Sequence, residues 1–231
     1  MRPARLAPAI TLLSAALALA GCARDSAGLG AAPTGGGLVA GALASALPGR
    51  KPAEAAPAPD AAQIAAKALA ANAGPVVLVQ FGATGTPFAM AERGRNGAMR
   101  TFVSPDNRAL VLRDGLLAAS RGFGRDLMSS DTGESATLIA ARQAGTAKRV
   151  QYYLDGDGRE RPLPMECSIT PGAPVTQSAG GASLTVTPVS ETCAPANAEN
   201  SYMVGADGRV LASVQWLGPR MGYLHITHLR D

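Results

Sequence analysis

The alternation of apolar and polar residues is clearest near the C-terminal end of the chain. Residues 209–217 and 221–229 both alternate with a period of two, and Gly218-Pro219 between them is typical of a turn. We therefore predict two antiparallel strands there. One face of the first strand is apolar throughout, which places Trp216 in the core, since large aromatic side chains dominate core burial. That face carries Val210, Ala212, Val214 and Trp216.

Shorter segments with the same period, or with runs of β-branched residues, predict further strands. Asp-Asn or Asp-Gly pairs at residues 106–107, 157–158 and 207–208 suit the positive φ angles of tight hairpin turns. The pattern predicts a mainly β fold, built as an antiparallel meander. The additional strands are expected at residues 75–81, 86–95, 98–104, 151–154, 165–169, 182–189 and 201–204.

One helix is predicted before the first strand. Asp60 and Gln63 have the spacing of a capping box, in which Asp60 accepts a backbone hydrogen bond and Gln63 reaches back. The alanine-rich sequence favours a helix to about Ala71, and Pro75 prevents its continuation. A second, short helix is expected at residues 136–144.

The N-terminus has the pattern of an export signal. Arg2 and Arg5 precede an apolar run, residues 6–20, which is too short for a comfortable membrane span. Leu19-Ala20-Gly21-Cys22 resembles the lipobox of bacterial lipoproteins, so we expect cleavage before Cys22 and lipid attachment to its sulfur. The alternative is an ordinary secretory signal, with Cys22 as a free thiol.

The residues after the signal predict a tether and one domain. Residues 23–59 have no aromatic residue and almost no periodicity, so they cannot bury enough apolar surface to offset the entropy of ordering. We divide the chain into a lipoprotein signal peptide (1–21), a lipidated flexible tether (22–59) and a single β-rich periplasmic domain (60–231).

Charge and cysteine content exclude several classes of protein. The formal net charge of +4 falls to +2 once the two signal arginines are removed, which argues against a nucleic-acid partner. With only two histidines we expect no zinc, and alternation places His225 and His228 on opposite faces of a strand, which argues against joint metal binding. We therefore expect no metal, and we expect no cofactor. Cys167 and Cys193 remain after lipidation, and in an oxidising compartment they predict one disulfide. The alternative is two free, buried thiols.

Several short motifs occur in order between residues 75 and 231. They are RTF (100–102), DGLLAASRGFG (114–124), DLMS (126–129), YLDGDG (153–158), ENSY (199–202), QWLGPR (215–220) and GYL (222–224). Together they resemble the YjbF/GfcB family of lipoproteins, and the lipobox and the cysteine pair fit that resemblance. The tether, residues 23–59, lies outside it.

The resemblance implies a fold and a biological setting. It implies a β-rich meander that curls into a partial barrel or sandwich, which agrees with the period of two. Family members belong to exopolysaccharide or group 4 capsule operons and act in secretion or assembly of the polymer, with no established reaction. The implied partners are polysaccharide-export proteins, the exopolysaccharide, or both. Ala23 follows the anchor in place of an aspartate, so we expect the outer membrane, with the protein facing the periplasm.

The candidate chemistry favours a protein that is not an enzyme. Asp155-Gly156-Asp157-Gly158 lacks the remaining ligands of a calcium loop, and no G-x-S-x-G nucleophile motif is present. The alternatives are a periplasmic hydrolase or esterase that modifies the polymer, and a purely structural envelope lipoprotein. Arg220 and Tyr223 follow the Gly218-Pro219 turn, and we take them as candidate contacts for an anionic polymer or a partner.

Overall fold

The computed structural model describes residues 60–231 apart from residues 84, 180 and 181. The described residues belong to one compact unit with two helices, α1 (Ala61–Ala71) and α2 (Gly133–Ala141), and thirteen strands. The strands are β1 (Val76–Phe81), β2 (Phe88–Asn96), β3 (Met99–Val103), β4 (Ala109–Arg113), β5 (Leu116–Arg121), β6 (Leu127–Asp131), β7 (Gly145–Leu154), β8 (Glu160–Pro171), β9 (Val175–Ala179), β10 (Ala182–Ala194), β11 (Ala198–Gly205), β12 (Val210–Gly218) and β13 (Gly222–Arg230).

All strands join one antiparallel sheet that curls into a nearly closed barrel. The order is β5-β4-β3-β2-β1-β13-β12-β11-β10-β8-β7-β6, and β9 pairs with β10 beside this path. The two end strands, β5 and β6, meet through side chains. The N–H of Leu127 donates to Ser120 Oγ at 2.9 Å, and Arg121 Nη1 donates to the Leu127 carbonyl at 3.0 Å. This architecture confirms the predicted meander and partial barrel.

Apolar side chains fill the barrel in two main clusters. One cluster lies around the first strands and β13, and its members include Val77, Val79, Met90, Phe102, Leu110, Leu112, Leu127, Leu217, Leu224 and Ile226. The other joins Ala136 and Ile139 of α2 to Leu116, Tyr202, Val204 and Val210. Because α2 packs against β7, β8 and β11, it supplies core contacts that the sheet alone does not make.

The predicted helix before the first strand is confirmed, but the predicted capping box is wrong. Asp60 immediately precedes α1, yet its side chain makes no capping hydrogen bond. Asp60 is exposed, so water can satisfy the first N–H groups of the helix. The helix is held instead at its other end. Asn72 Nδ2 donates to the Ala68 carbonyl at 2.9 Å, and Arg230 donates to the Leu69 and Asn72 carbonyls.

The predicted faces of β12 need correction. Trp216 is buried, as predicted, and packs beside the two cysteines. However, Ser213 and Gln215, which alternation placed opposite the apolar face, are also buried, with Gln215 fully so. Register shifts against both neighbouring strands, one at Val204 and one near Trp216, break the simple alternation.

The pattern of apolar and polar residues did not predict β5, β6 or β9, and it located only residues 151–154 of β7. Other differences concern the ends of elements. The short helix begins at Gly133 rather than at residue 136, and β8 and β10 are longer than predicted. The predicted hairpin turns are confirmed: Asn107, Gly158 and Gly208 have φ angles of 64°, 72° and 82°. Within the described residues, no helix is long and apolar enough to cross a membrane.

Candidate functional site

A pocket of about 410 Å³ opens beside the seam between β5 and β6. We call it the seam pocket. Three connections form it: the β5–β6 loop, the β7–β8 turn and the β12–β13 turn. Its lining residues are Arg121, Gly124, Arg125, Asp126, Met128, Tyr153, Leu154, Asp155, Gly218, Pro219, Arg220 and Met221.

Asp126 fixes the conformation of the β5–β6 loop. Its carboxylate accepts hydrogen bonds from the N–H groups of Gly122 at 2.8 Å and Phe123 at 3.1 Å. It also accepts one from Ser120 Oγ at 2.9 Å. These three hydrogen bonds hold the loop in one conformation. The loop in turn places Arg125 at the rim of the pocket.

Tyr153 fixes the position of the β12–β13 turn. Its hydroxyl lies 2.9 Å from the Leu217 carbonyl and 2.8 Å from Gln151 Oε1. Burial raises the pKa of this hydroxyl, so it stays protonated and able to donate. Gly218 has a φ angle of 148°, and a Cβ there would lie 3.0 Å from the Tyr153 oxygen. Glycine is therefore required where the turn approaches the ring.

Asp155 organises the β7–β8 turn. Its carboxylate accepts hydrogen bonds from the N–H groups of Asp157 and Arg159, both at 2.9 Å, and from Arg161 Nε at 2.8 Å. The backbone hydrogen bond from Arg159 and the one from the Arg161 side chain hold the pKa of Asp155 below its usual range. The Asp-Gly-Asp-Gly segment is thus a turn closed by its own backbone.

Three arginines give the pocket its cationic character, and they differ in whether their side chains have hydrogen-bond partners in the protein. Arg121 donates to the carbonyls of Leu127 and Met128 at 3.0 and 3.2 Å, so it holds the seam together. Arg125 and Arg220 are exposed. Among the residues that the structure describes, neither side chain has a hydrogen-bond or ion-pair partner, which leaves both guanidinium groups available to a ligand.

The pocket carries groups that can bind an acidic sugar. Guanidinium groups pair with carboxylate or phosphate through two parallel hydrogen bonds, and Met128, Met221 and Pro219 supply an apolar surface. A glycosidase needs one carboxylic acid with a raised pKa as proton donor. The two carboxylates of the pocket, Asp126 and Asp155, are both engaged by loop backbone.

The structure separates the two residues that the sequence paired as candidate contacts. Arg220 lines the seam pocket, but Tyr223 does not. The Tyr223 hydroxyl accepts a hydrogen bond from the Glu199 N–H at 3.1 Å, and its ring packs against the cluster of Trp216 and the cysteines. Arg125 was missed because it lies in a glycine-rich loop with no periodic pattern.

Cys167 and Cys193 form the predicted disulfide. They face each other on β8 and β10, with Cα atoms 4.0 Å apart. Glu191 lies close enough for its carboxylate and the two sulfurs to suggest a metal site. Because the sulfurs are bonded to each other, they are not thiolate ligands. Cys22, the predicted lipidation site, lies outside the described residues, as does the predicted tether.

A buried polar cluster inside the barrel was not predicted. Glu191 Oε2 accepts hydrogen bonds from Arg149 Nη1, Asn200 Nδ2 and the Tyr202 hydroxyl, each at 2.8 Å. Burial raises the pKa of Glu191, but the Arg149 charge and these hydrogen bonds outweigh it and leave the pKa below its ordinary value. Arg149 and Glu191 are almost completely shielded from solvent, so this cluster belongs to the interior of the fold and not to a ligand site.

Comparison with known proteins identifies the family of the chain. No curated protein matches the sequence. A crystal structure of the hypothetical lipoprotein YmcC from Escherichia coli (K12) has the same fold, with a TM-score of 0.61 and 18% sequence identity over 73% of this chain and 90% of that one.

A family model described as group 4 capsule polysaccharide lipoprotein GfcB, YjbF matches residues 41–229. The match begins inside the segment predicted as a tether, so the family region starts earlier than the motifs alone indicated. Since it spans most of the sequence, the chain belongs to the YjbF family of capsule polysaccharide lipoproteins.

Proposed function

We propose that this protein is a non-enzymatic accessory in the secretion or assembly of an exopolysaccharide or capsule. The observation that carries the proposal is the family match over residues 41–229. In this proposal Cys22 is lipidated, and the anchor holds the protein at the outer membrane, facing the periplasm. The partners are polysaccharide-export proteins and the polymer itself.

The seam pocket is the proposed contact with the polymer. Arg125 and Arg220 present two guanidinium groups at its rim, and its apolar lining suits the less polar face of a sugar ring. The proposed ligand is therefore an acidic residue of the polymer, held through its carboxylate or phosphate. The engagement of Asp126 and Asp155 by loop backbone supports binding over hydrolysis.

The test is the double variant Arg125→Ala with Arg220→Ala, assayed for polymer on the cell surface. We expect less surface polymer at a normal level of the lipoprotein and an unchanged melting temperature. Lys148→Ala is the control, because Lys148 is an exposed cation outside the pocket. Equal polymer in the double variant and the control would remove the seam pocket as the contact.

A binding measurement with purified components shows whether the ligand is the polymer or a protein partner. The purified protein should bind the isolated polymer with an affinity that falls as salt is added, because exposed ion pairs are screened. The alternatives are a periplasmic hydrolase or esterase and a purely structural envelope protein. Shortening or deacylation of the polymer by the purified protein would establish the first alternative, and normal export in a deletion strain would favour the second.

A further inference from the structure

A second cavity, of about 600 Å³, lies between α1 and the barrel wall. We call it the α1 groove. Ile64, Ala68 and Ala71 line its helical side, and residues of β1, β2 and β3 line the other. The apolar residues on the sheet side are Val76, Phe88, Ala89, Met90, Ala91 and Val103, with Pro87 and Pro105 beside them.

The groove is apolar, and residues 60–231, apart from 84, 180 and 181, leave it open. Helix α1 has no fully buried residue, although Ile64 and Ala68 face the sheet across the cavity. Protein interiors are normally close-packed, but Ile64 and Ala68 on the helix and Phe88 and Ala89 on β2 are only half-buried, so they leave apolar surface open toward the groove. The volume lies within the roughly 300–1,000 Å³ that is typical of small-molecule sites.

Two cations lie at the rim of this apolar space. Lys67 follows Ile64 by one helical turn, and Arg93 lies two residues after Ala91 on β2; both line the groove. Both are exposed, and within the described part of the chain neither side chain has a hydrogen-bond or ion-pair partner. Glu92, the neighbouring carboxylate, is paired with Arg95 and Arg100. The rim therefore carries two uncompensated positive charges.

We propose that the α1 groove binds an anionic single-chain lipid from the membrane. The acyl chain lies between α1 and β2, where each methylene removed from water favours binding, and the headgroup pairs with Lys67 and Arg93. The apolar groove complements the acyl chain, and the cationic rim complements the anionic headgroup. This site is separate from the seam pocket and does not depend on the proposed polymer contact.

The test is a binding titration with palmitoyl-lysophosphatidylglycerol below its micellar concentration. The protein is the mature chain, residues 22–231, with Cys22→Ser so that its own lipid does not compete. We expect one saturable site by calorimetry and a one-to-one complex by native mass spectrometry. Monopalmitoylglycerol, with the same chain and no charge, should bind more weakly. Lys67→Glu with Arg93→Glu should weaken binding of the anionic lipid about tenfold and leave the neutral one unchanged.

Matched tryptophan variants locate the site. Ala68→Trp places an indole in the groove and should abolish binding, whereas Ala70→Trp, at an exposed position outside the lining, should not. Circular dichroism confirms that both fold. Equal loss in both variants, or no saturable binding by the parent chain, would overturn the proposal. Self-association that Ala68→Trp abolishes would show that a second copy occupies the groove and would also overturn it.

Discussion

Arg149 on β7 and Glu191 on β10 form a 2.8 Å ion pair inside the barrel, although β8 lies between their strands. Both side chains are at most 1% exposed. Arg149 also donates to the Leu117 carbonyl of β5 and to Ser130 Oγ of β6, both at 3.3 Å, so one buried cation connects β7 and β10 with both strands at the seam. Asn200 and Tyr202 donate to the same carboxylate oxygen, Glu191 Oε2. Among the described residues the other oxygen, Oε1, has no hydrogen-bond partner.

Removing one partner of this pair should destabilise the fold strongly. Arg149→Met leaves a buried carboxylate without its cation, and breaking a buried pair in this way costs about 3–5 kcal/mol. Arg149→Met with Glu191→Gln removes both charges, so the double variant should lose less than the sum of the single losses. Urea unfolding of the wild type, Arg149→Met, Glu191→Gln and the double variant measures the four free energies of unfolding. Strictly additive losses would show that the two charges are not coupled.

The same carboxylate should make stability depend on pH. Because the folded-state pKa of Glu191 lies below its ordinary value of 4.5, the stabilisation is fully present above that pH. It is lost as the pH falls through the lower pKa of the folded state. Glu92 and Asp231 shift in the same direction, so the wild type should become progressively less stable below about pH 4.5.

The variant Glu191→Gln isolates this contribution. Its free energy of unfolding should fall less steeply with acidification than that of the wild type, since one shifted carboxylate is missing. The measurement is a series of urea titrations between pH 3 and pH 7. Parallel curves for the two proteins would mean that Glu191 does not titrate differently on folding.

The disulfide should also contribute to stability. It closes a loop with a sequence separation of 26 residues, for which the chain-entropy model gives roughly 3–4 kcal/mol. Cys167→Ser with Cys193→Ser should therefore lower the unfolding free energy by about 2–5 kcal/mol. Mass spectrometry under non-reducing conditions checks the bond in the exported protein. Two thiols that react with an alkylating agent before reduction would contradict it.

The period of two predicted most of the sheet because exposed and buried positions alternate along each strand. It placed β1, β12 and β13 and the hairpin turns at residues 107, 158 and 208 close to their observed positions. It failed at Gln215, whose burial follows from register shifts against neighbouring strands. Alternation within one strand carries no information about such shifts.

The polar interior was unpredictable for a related reason. Gln215 Oε1 accepts a hydrogen bond from the N–H of Leu117 at 2.7 Å, and the two residues are 98 positions apart in the chain. This contact satisfies backbone at the edge of β5, where the sheet does not close. A polar residue in an amphipathic strand is normally assigned to solvent. Its burial becomes evident only when the barrel brings the seam beside it.

The candidate site was predicted in part. Arg220 follows a Gly-Pro turn that the sequence displays plainly, so its place on a loop was expected. Its neighbour Arg125 comes from a loop almost one hundred residues earlier, and three separate connections form the pocket. Loops carry no periodic signal, so their convergence has to be read from the fold.

Gly218→Ala should disturb the seam pocket and lower stability. The backbone at Gly218 has a φ angle that other residues rarely adopt, and a Cβ would lie 3.0 Å from the Tyr153 hydroxyl oxygen. Strain and overpacking of this kind cost about 1–3 kcal/mol each. Gly94→Ala is the control, since its added Cβ has no atom within 4 Å and its φ angle is ordinary. Equal melting temperatures for the two variants would show that the turn can move away from Tyr153.

The proposed lipid anchor at Cys22 can be tested separately from the folded unit. Cys22→Ser removes the sulfur that the lipobox Leu19–Cys22 presents, so palmitate labelling should disappear and normal processing should stop. Ala23→Asp tests the membrane: if residue 23 directs sorting, this variant should move from the outer-membrane to the inner-membrane fraction, while Ala23→Ser should stay. Unchanged palmitate labelling of Cys22→Ser would contradict lipidation. Recovery of the wild type in the inner-membrane fraction would contradict the proposed outer-membrane location.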